Sequence, residues 1–133
     1  SPMMNASDWL DLTVLERKKY NYLNETLDLT QQIGSALDHN DQISLKMLLA
    51  MRQEPIMYLE ELKQTIQARR QDLPPEDQER MQALLSGASP RTQEENTFVQ
   101  QAATVIRLLQ RVIELDRAVN LRLTGSSSIY NKK

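Results

Sequence analysis

Apolar residues recur along this chain at steps of three and four, the spacing that places side chains on one face of an α-helix. The first series predicts an amphipathic helix over residues 7–37, about 45 Å long at the usual rise per residue. Ser7 suits its start, because its hydroxyl can accept a hydrogen bond from a free backbone N–H of the first turn. The face of this helix is formed by Tyr20, Leu23, Leu27, Thr30, Gly34 and Leu37.

A second series predicts a helix over residues 42–70, and the residues 38–41, Asp-His-Asn-Asp, form the turn before it. So short a link between long helices forces an antiparallel hairpin. Because the apolar spacing continues beyond Pro55, we predict a kink near Gln53 rather than an end of the helix. The apolar face consists of Leu45, Leu48, Leu49, Ile56, Leu59, Leu62 and Ile66.

Two further segments complete the fold. Pro74 and Pro75, followed by acidic residues, predict a short third helix that ends near Leu85. A last helix is predicted over residues 92–123, with Gly125 as its end. Its heptad-like seam consists of Phe98, Ala102, Val105, Leu109, Val112, Asp116, Val119 and Leu123. The sequence therefore predicts an all-α fold, an antiparallel bundle of three long amphipathic helices plus one short helix.

The predicted helices form one domain over residues 7–124. Residues 1–6 are expected to be a disordered N-terminus, in which Ser1-Pro2 resembles a cloning remnant. Residues 125–133 begin with a glycine and three serines and are expected to form a flexible C-terminal tail.

The last helix carries more apolar residues than one seam uses. Ile106, Leu108, Ile113 and Leu115 lie outside the seam, so this helix is apolar on more than one side. A helix packed on one hairpin needs a single stripe, and exposed apolar patches usually mark interfaces. We therefore expect a partner-binding surface, on which Val112→Asp would abolish binding but leave the helices intact. The predicted surface consists of Val105, Ile106, Leu109, Val112, Ile113, Val119 and Leu123.

Charge and composition exclude several classes of function. The 133 residues carry 16 basic and 18 acidic side chains, a net charge of −2. A dedicated nucleic-acid binder would concentrate positive charge on one face. No apolar run approaches the ~18–20 residues of a membrane span, and the absence of cysteine excludes disulfide and thiolate chemistry. We expect a cytoplasmic protein with no nucleic-acid partner and no membrane insertion.

The sequence offers little catalytic chemistry. His39 is the only histidine, and it lies in the predicted turn rather than on a helix face. The adjacent pairs Glu60-Glu61 and Glu94-Glu95 point about 100° apart on a helix, so their carboxylates do not converge. No glycine-rich phosphate loop and no Ser/His/Asp set is present. We therefore predict a non-enzyme with no catalytic residue, no cofactor and no metal site.

Two features leave alternatives open. Asp116 lies in the apolar seam of the last helix. Either it lies at the edge of the seam, where its carboxylate reaches water, or it pairs with an arginine such as Arg17 and thereby sets the register or the choice of partner. Met47, Met51 and Met57 of the second helix either fill the core or adapt a surface to varied apolar partners.

The order of these parts resembles the FlgN-like family of flagellar type III export chaperones. The first matching stretch is residues 16–66, with the short turn at 38–41, the segment 48–54 (Leu-Leu-Ala-Met-Arg-Gln-Glu) and the segment 58–62 (Tyr-Leu-Glu-Glu-Leu). The second is the terminal helix over 108–123 with its tail.

This resemblance implies a cytoplasmic chaperone that binds the terminal helices of hook-filament junction proteins before their export. The family is thought to bind clients with its C-terminal helix and to dock on the export apparatus through a tyrosine near the C-terminus. Tyr130 is the residue that matches this tyrosine.

Two rival functions remain open at this level. One is a coiled-coil adaptor or obligate homodimer without a client, and the apolar stripe of the last helix is also suited to closing a homodimer. The other is a helical-bundle enzyme or metal carrier. Binding of a client peptide separates the first rival from a chaperone, and metal analysis tests the second.

Overall fold

The computed structural model describes the backbone of residues 4–131 and the side chains of residues 4–125. Four helices follow one another in the chain: α1 Ala6–Asp38, α2 Gln42–Gln71, α3 Pro75–Leu85 and α4 Gln93–Asn131. α1 packs against both α2 and α4, whereas the backbones of α2 and α4 hardly approach each other. The all-α bundle of three long helices and one short helix predicted from the sequence is confirmed.

The three long helices run up, down and up. At one end of the bundle the rings of Trp9 and Phe98 lie 5.2 Å apart, which brings the beginnings of α1 and α4 together. At the other end Arg122 Nη1 lies 2.8 Å from Asp38 Oδ1, near the end of α1. α4 is therefore parallel to α1, and α2 is antiparallel to both.

α1 begins earlier than the sequence predicted. The Asn5 side chain accepts a hydrogen bond from the Asp8 backbone N–H (2.9 Å), and the Asp8 carboxylate accepts one from the Asn5 N–H (3.0 Å). This reciprocal capping box satisfies two free donors, whereas a Ser7 cap would satisfy one. The predicted cap at Ser7 is therefore wrong.

Met4 packs against the core, so residues 4–6 belong to the folded domain, and residues 1–3 lie outside the described part.

The turn between α1 and α2 is as tight as predicted. Asn40 adopts a left-handed backbone (φ 53°), a conformation that asparagine tolerates better than most residues. Asp41 caps α2 by accepting hydrogen bonds from the Ser44 N–H (3.0 Å) and the Ser44 hydroxyl (2.6 Å). These hydrogen bonds hold the pKa of the Asp41 carboxyl below its usual range.

α2 continues through Pro55, as the apolar spacing predicted. Proline lacks the N–H that would bond the carbonyl one turn earlier, which destabilises a helix interior. Pro55 is fully buried, so the packing of its ring against neighbouring side chains offsets part of that loss.

α4 extends to Asn131 and does not end at Gly125. A glycine ends a helix by adopting a left-handed backbone, and among the described glycines Gly87 has that conformation (φ 109°) but Gly125 does not. The predicted end of the last helix at Gly125 is therefore wrong, whereas the flexibility of residues 125–133 stays a prediction. The side chain of Tyr130 and residues 132–133 lie outside the described part.

The core consists of three apolar clusters stacked along α1. The lower cluster contains Trp9, Leu12, Leu15, Leu62, Met81, Leu84 and Phe98, so α3 closes this end of the bundle. The middle cluster contains Leu23, Leu27, Val105, Leu108 and Val112. The upper cluster contains Leu29, Ile33, Ala36, Leu45, Leu48 and Val119. The seam of α4 therefore faces α1 and lies in the protein's own core.

Neighbouring positions on α4 should respond differently to a charge. Val112→Asp should lower the free energy of unfolding by about 3 kcal/mol, because it removes a buried apolar side chain and buries a carboxylate. Ile113→Asp should change it by less than about 1 kcal/mol, because Ile113 is partly exposed. Urea unfolding followed by circular dichroism measures both values, and equal midpoints would contradict this assignment of core and surface.

Candidate partner-binding surface

The gap between α2 and α4 is bridged by one buried arginine. Arg52 Nη1, on α2, donates to Asp116 Oδ1 on α4 (2.7 Å) and to Thr30 Oγ1 on α1 (3.2 Å). Arg52 is almost completely buried, and its Nε has no hydrogen-bond partner among the described residues. Asp116 is partly exposed and also accepts a hydrogen bond from Asn120 Nδ2 (3.2 Å). All three long helices therefore meet at this polar site.

An apolar strip borders the same gap. Ile56 lies one turn after Arg52 on α2, and Ile113 lies one turn before Asp116 on α4. Ile106 lies two further turns down α4, on the same side as Ile113. These three isoleucines are 39%, 41% and 49% exposed, respectively. We call them the α2–α4 strip.

The floor of the gap is apolar as well. Leu59 of α2 and Leu109 of α4 are half-buried and both pack against the middle core cluster. Side chains from two helices thus line a shallow trough whose floor is the protein's own core. A partner side chain in the trough would contact a surface that is already well packed and partly dehydrated.

The structure divides the seven predicted binding residues into three groups. Ile106 and Ile113 are exposed, as expected. Leu109 and Leu123 are half-buried and pack against core clusters. The remaining three residues, Val105, Val112 and Val119, are buried in the monomer.

The assignment of Val105, Val112 and Val119 to an exposed surface is therefore wrong. These valines are spaced seven residues apart on the side of α4 that packs against α1, so a partner could reach them only if α4 separated from α1. Of the residues that the sequence placed outside the seam, Leu108 is also buried and Leu115 is half-buried. The unused apolar surface is accordingly smaller than predicted, but Ile106 and Ile113 remain.

Arg52 is the residue of this candidate site that sequence analysis missed. It follows Leu48 by four residues and precedes Leu59 by seven, so it occupies a core position of the apolar series. A charged residue that is buried at such a position needs a partner of opposite charge, which here is the partly exposed Asp116. Both alternatives left open for Asp116 apply in part, because its carboxylate is partly exposed and also pairs with an arginine. That arginine is Arg52 of α2 and not Arg17 of α1.

A second apolar surface lies on the other side of α2. Met47, Met51 and Met57, which the sequence left between core and surface, are all at least half exposed. Ile43 is 86% exposed on the same side, and Tyr58 stacks on Tyr22 of α1 with the ring centroids 5.2 Å apart. We call Ile43, Met47, Met51, Met57 and Tyr58 the outer α2 face. These methionines are surface residues and not core filler.

Outside the trough, charged side chains meet in one cavity at the lower end of the bundle, which Asp77, Arg80, Arg91 and Glu95 line together. Burial raises the pKa of the Glu16 carboxyl, and the nearby Lys19 and Arg70 oppose that rise. The His39 ring lies exposed in the turn, with Nδ1 2.7 Å from the Ser35 carbonyl oxygen. Among the described side chains, no three His, Asp or Glu residues are close enough together to hold a metal ion.

Comparison with known proteins adds no relative. No family model, no curated protein and no solved structure matches this chain. In the part of the chain that the structure describes, no helix is both long enough and apolar enough to cross a membrane. The resemblance to export chaperones stays a prediction from the sequence.

The Arg52–Asp116 pair should behave as a unit. Asp116→Ala should lower the free energy of unfolding by about 1–3 kcal/mol, because it leaves a buried guanidinium without its anion. A second substitution, Arg52→Met, should recover most of that loss, because no buried charge then remains. The exposed pair Arg122–Asp38 supplies the control, since Asp38→Ala should cost less than about 1 kcal/mol. A double variant less stable than Asp116→Ala, measured by urea unfolding, would contradict this account.

Proposed function

We propose that this protein binds an amphipathic helix of another protein in the trough between α2 and α4. The observation that carries the proposal is the α2–α4 strip, an exposed apolar surface contributed by two helices that hardly contact each other. Exposed apolar surface of this kind is typical of interaction sites.

The shape of the trough favours a helix as the ligand. Three long helices leave one side of the bundle open, and a fourth helix placed there would complete a four-helix bundle. From Ile106 to Asp116 the trough runs for about 15 Å, which matches about three turns of a partner helix. Such a partner would present apolar anchors three and four residues apart to Ile56, Ile106 and Ile113.

The polar site at the upper end of the trough supplies orientation. Arg52 and Asp116 meet beside Ile56 and Ile113, so an apolar partner residue there would take water from the exposed part of the Asp116 carboxylate without replacing its hydrogen bonds. A partner helix with a polar residue at this level and apolar residues below it fits better than the reverse orientation. The pair therefore favours one direction and one register of binding.

The resemblance noted in the sequence narrows the partner to an export client. We infer a cytoplasmic export chaperone that holds the terminal helix of a hook-filament junction protein, prevents its premature assembly and delivers it to the flagellar type III export apparatus. A helix destined for burial in a filament is apolar on one face and needs a temporary partner before assembly. This binding role involves no catalysis.

A charge in the strip should abolish binding. Ile106→Asp and Ile113→Asp should each weaken binding of a synthetic peptide from the C-terminal helix of a hook-filament junction protein by at least about tenfold. The cause is the loss of an apolar contact and the desolvation of a carboxylate. Isothermal titration calorimetry gives the dissociation constants, and circular dichroism checks the fold.

Leu10→Asp is the matched control, because Leu10 is a 55% exposed leucine on α1 and does not border the trough. Equal losses in all three variants, or no loss in either isoleucine variant, would overturn the assignment of the binding surface. A wild-type protein that ignores the peptide would favour an adaptor without a client.

Tyr130→Ala tests the docking role that the resemblance implies. The variant should bind the client peptide with unchanged affinity, because Tyr130 is well separated in sequence from the strip residues Ile106 and Ile113. It should bind the export apparatus more weakly, because the resemblance assigns docking to Tyr130. Co-purification with the export apparatus measures the effect. Unchanged co-purification would rule out Tyr130 as the docking residue.

A further inference from the structure

We propose that two copies of this chain associate through the outer α2 face. The α2 helix of one copy packs against the α2 helix of the other in antiparallel orientation, with a two-fold axis near Ala50. The proposal is independent of client binding. Ile56 of the strip and Met47 of the outer face point in nearly opposite directions from α2, so both surfaces are accessible at the same time.

The outer α2 face has the dimensions of a helix–helix contact. From Ile43 to Tyr58 it spans about 22 Å along the helix, or four turns. Four of its five side chains are half exposed or more, and Tyr58 is held by its stacking on Tyr22. Ala50 lies at the middle of this span, where a small side chain lets two helices approach closely. The chain's own core clusters include none of these residues.

The charges on this face point to a second copy as the occupant. Lys46 lies four residues before Ala50, and Glu54 lies four residues after it. Both side chains are exposed, and neither forms an ion pair among the described residues. In an antiparallel pair centred on Ala50, Lys46 of each copy faces Glu54 of the other. The same symmetry places Ile43 opposite Met57.

Because the pairs Lys46/Glu54 and Ile43/Met57 share Ala50 as their midpoint, this self-complementarity favours a second copy over an unrelated partner. In a two-fold dimer, a residue that precedes the axis by four positions in one copy faces the residue that follows the axis by four positions in the other copy. With the axis at Ala50, these two residues are Lys46 and Glu54, which carry opposite charges. The apolar contact is small beside the roughly 20–30 residues per side of a standard stable interface. The dimer is therefore weak, with dissociation in the micromolar range.

Charge reversal tests the pairing. Lys46→Glu and Glu54→Lys should each raise the dimer dissociation constant by about tenfold, because each turns two attractive contacts into two repulsive ones. A mixture of the two variants should associate as well as the wild type, because both carboxylates of the first variant then face the two ammonium groups of the second. Analytical ultracentrifugation across the micromolar range gives the masses, and circular dichroism checks the fold.

Lys63→Glu is the control, because it makes the same charge change at an exposed position on another side of α2. It should leave the dimer unchanged, as should Ile113→Asp. A wild-type protein that stays monomeric throughout the range would overturn the proposal. So would a dimer that both charge reversals leave intact, or a mixture of the two variants that fails to associate. Peptide binding by the α2–α4 strip is tested separately by calorimetry, and neither result decides the other.

Discussion

The fold depends on the central position of α1, which buries apolar side chains against two helices at once. Leu29 and Ile33 pack toward α2, while Leu23 and Leu27 join the cluster formed with α4. Polar residues are tolerated in these contacts because the hydroxyls of Thr13, Thr26 and Thr30 donate to carbonyls one turn back, at 2.7–2.8 Å. Since α1 occupies the space between α2 and α4, those two helices stay apart, and the trough is a direct consequence of the packing.

The helices and their order could be predicted because they follow from local patterns. Apolar spacing, the tight turn at 38–41 and the proline pair at the start of α3 each depend on a few neighbouring residues. The ends were less predictable. Asn5 and Ser7 are both acceptable caps by type, and only the reciprocal bonds with Asp8 decide between them. Gly125 is a residue type that often ends a helix, but it does so only when its backbone adopts the left-handed conformation, which Gly125 lacks.

The proposed binding surface was only partly predictable. The sequence shows that α4 is apolar on several sides, but periodicity does not reveal which side another helix covers. Val112 and Ile113 are adjacent and equally apolar, yet α1 covers the first and leaves the second partly exposed. The pairing of Arg52 with Asp116 joins residues 64 apart, so it depends on the register between α2 and α4 and not on either helix alone. The exposure of the α2 methionines was ambiguous as well, because methionine occurs both in cores and on adaptable surfaces and periodicity does not reveal which side of α2 is covered.

The central claim is that a partner helix occupies the trough between α2 and α4. Methyl NMR of protein labelled at isoleucine and methionine, titrated with the client-helix peptide, tests it most directly. The account predicts that the methyl signals of Ile56, Ile106 and Ile113 shift together and saturate at one peptide per protein, while those of Met47 and Met51 stay in place. Shifts confined to the outer α2 face, with the three isoleucines unchanged, would contradict it.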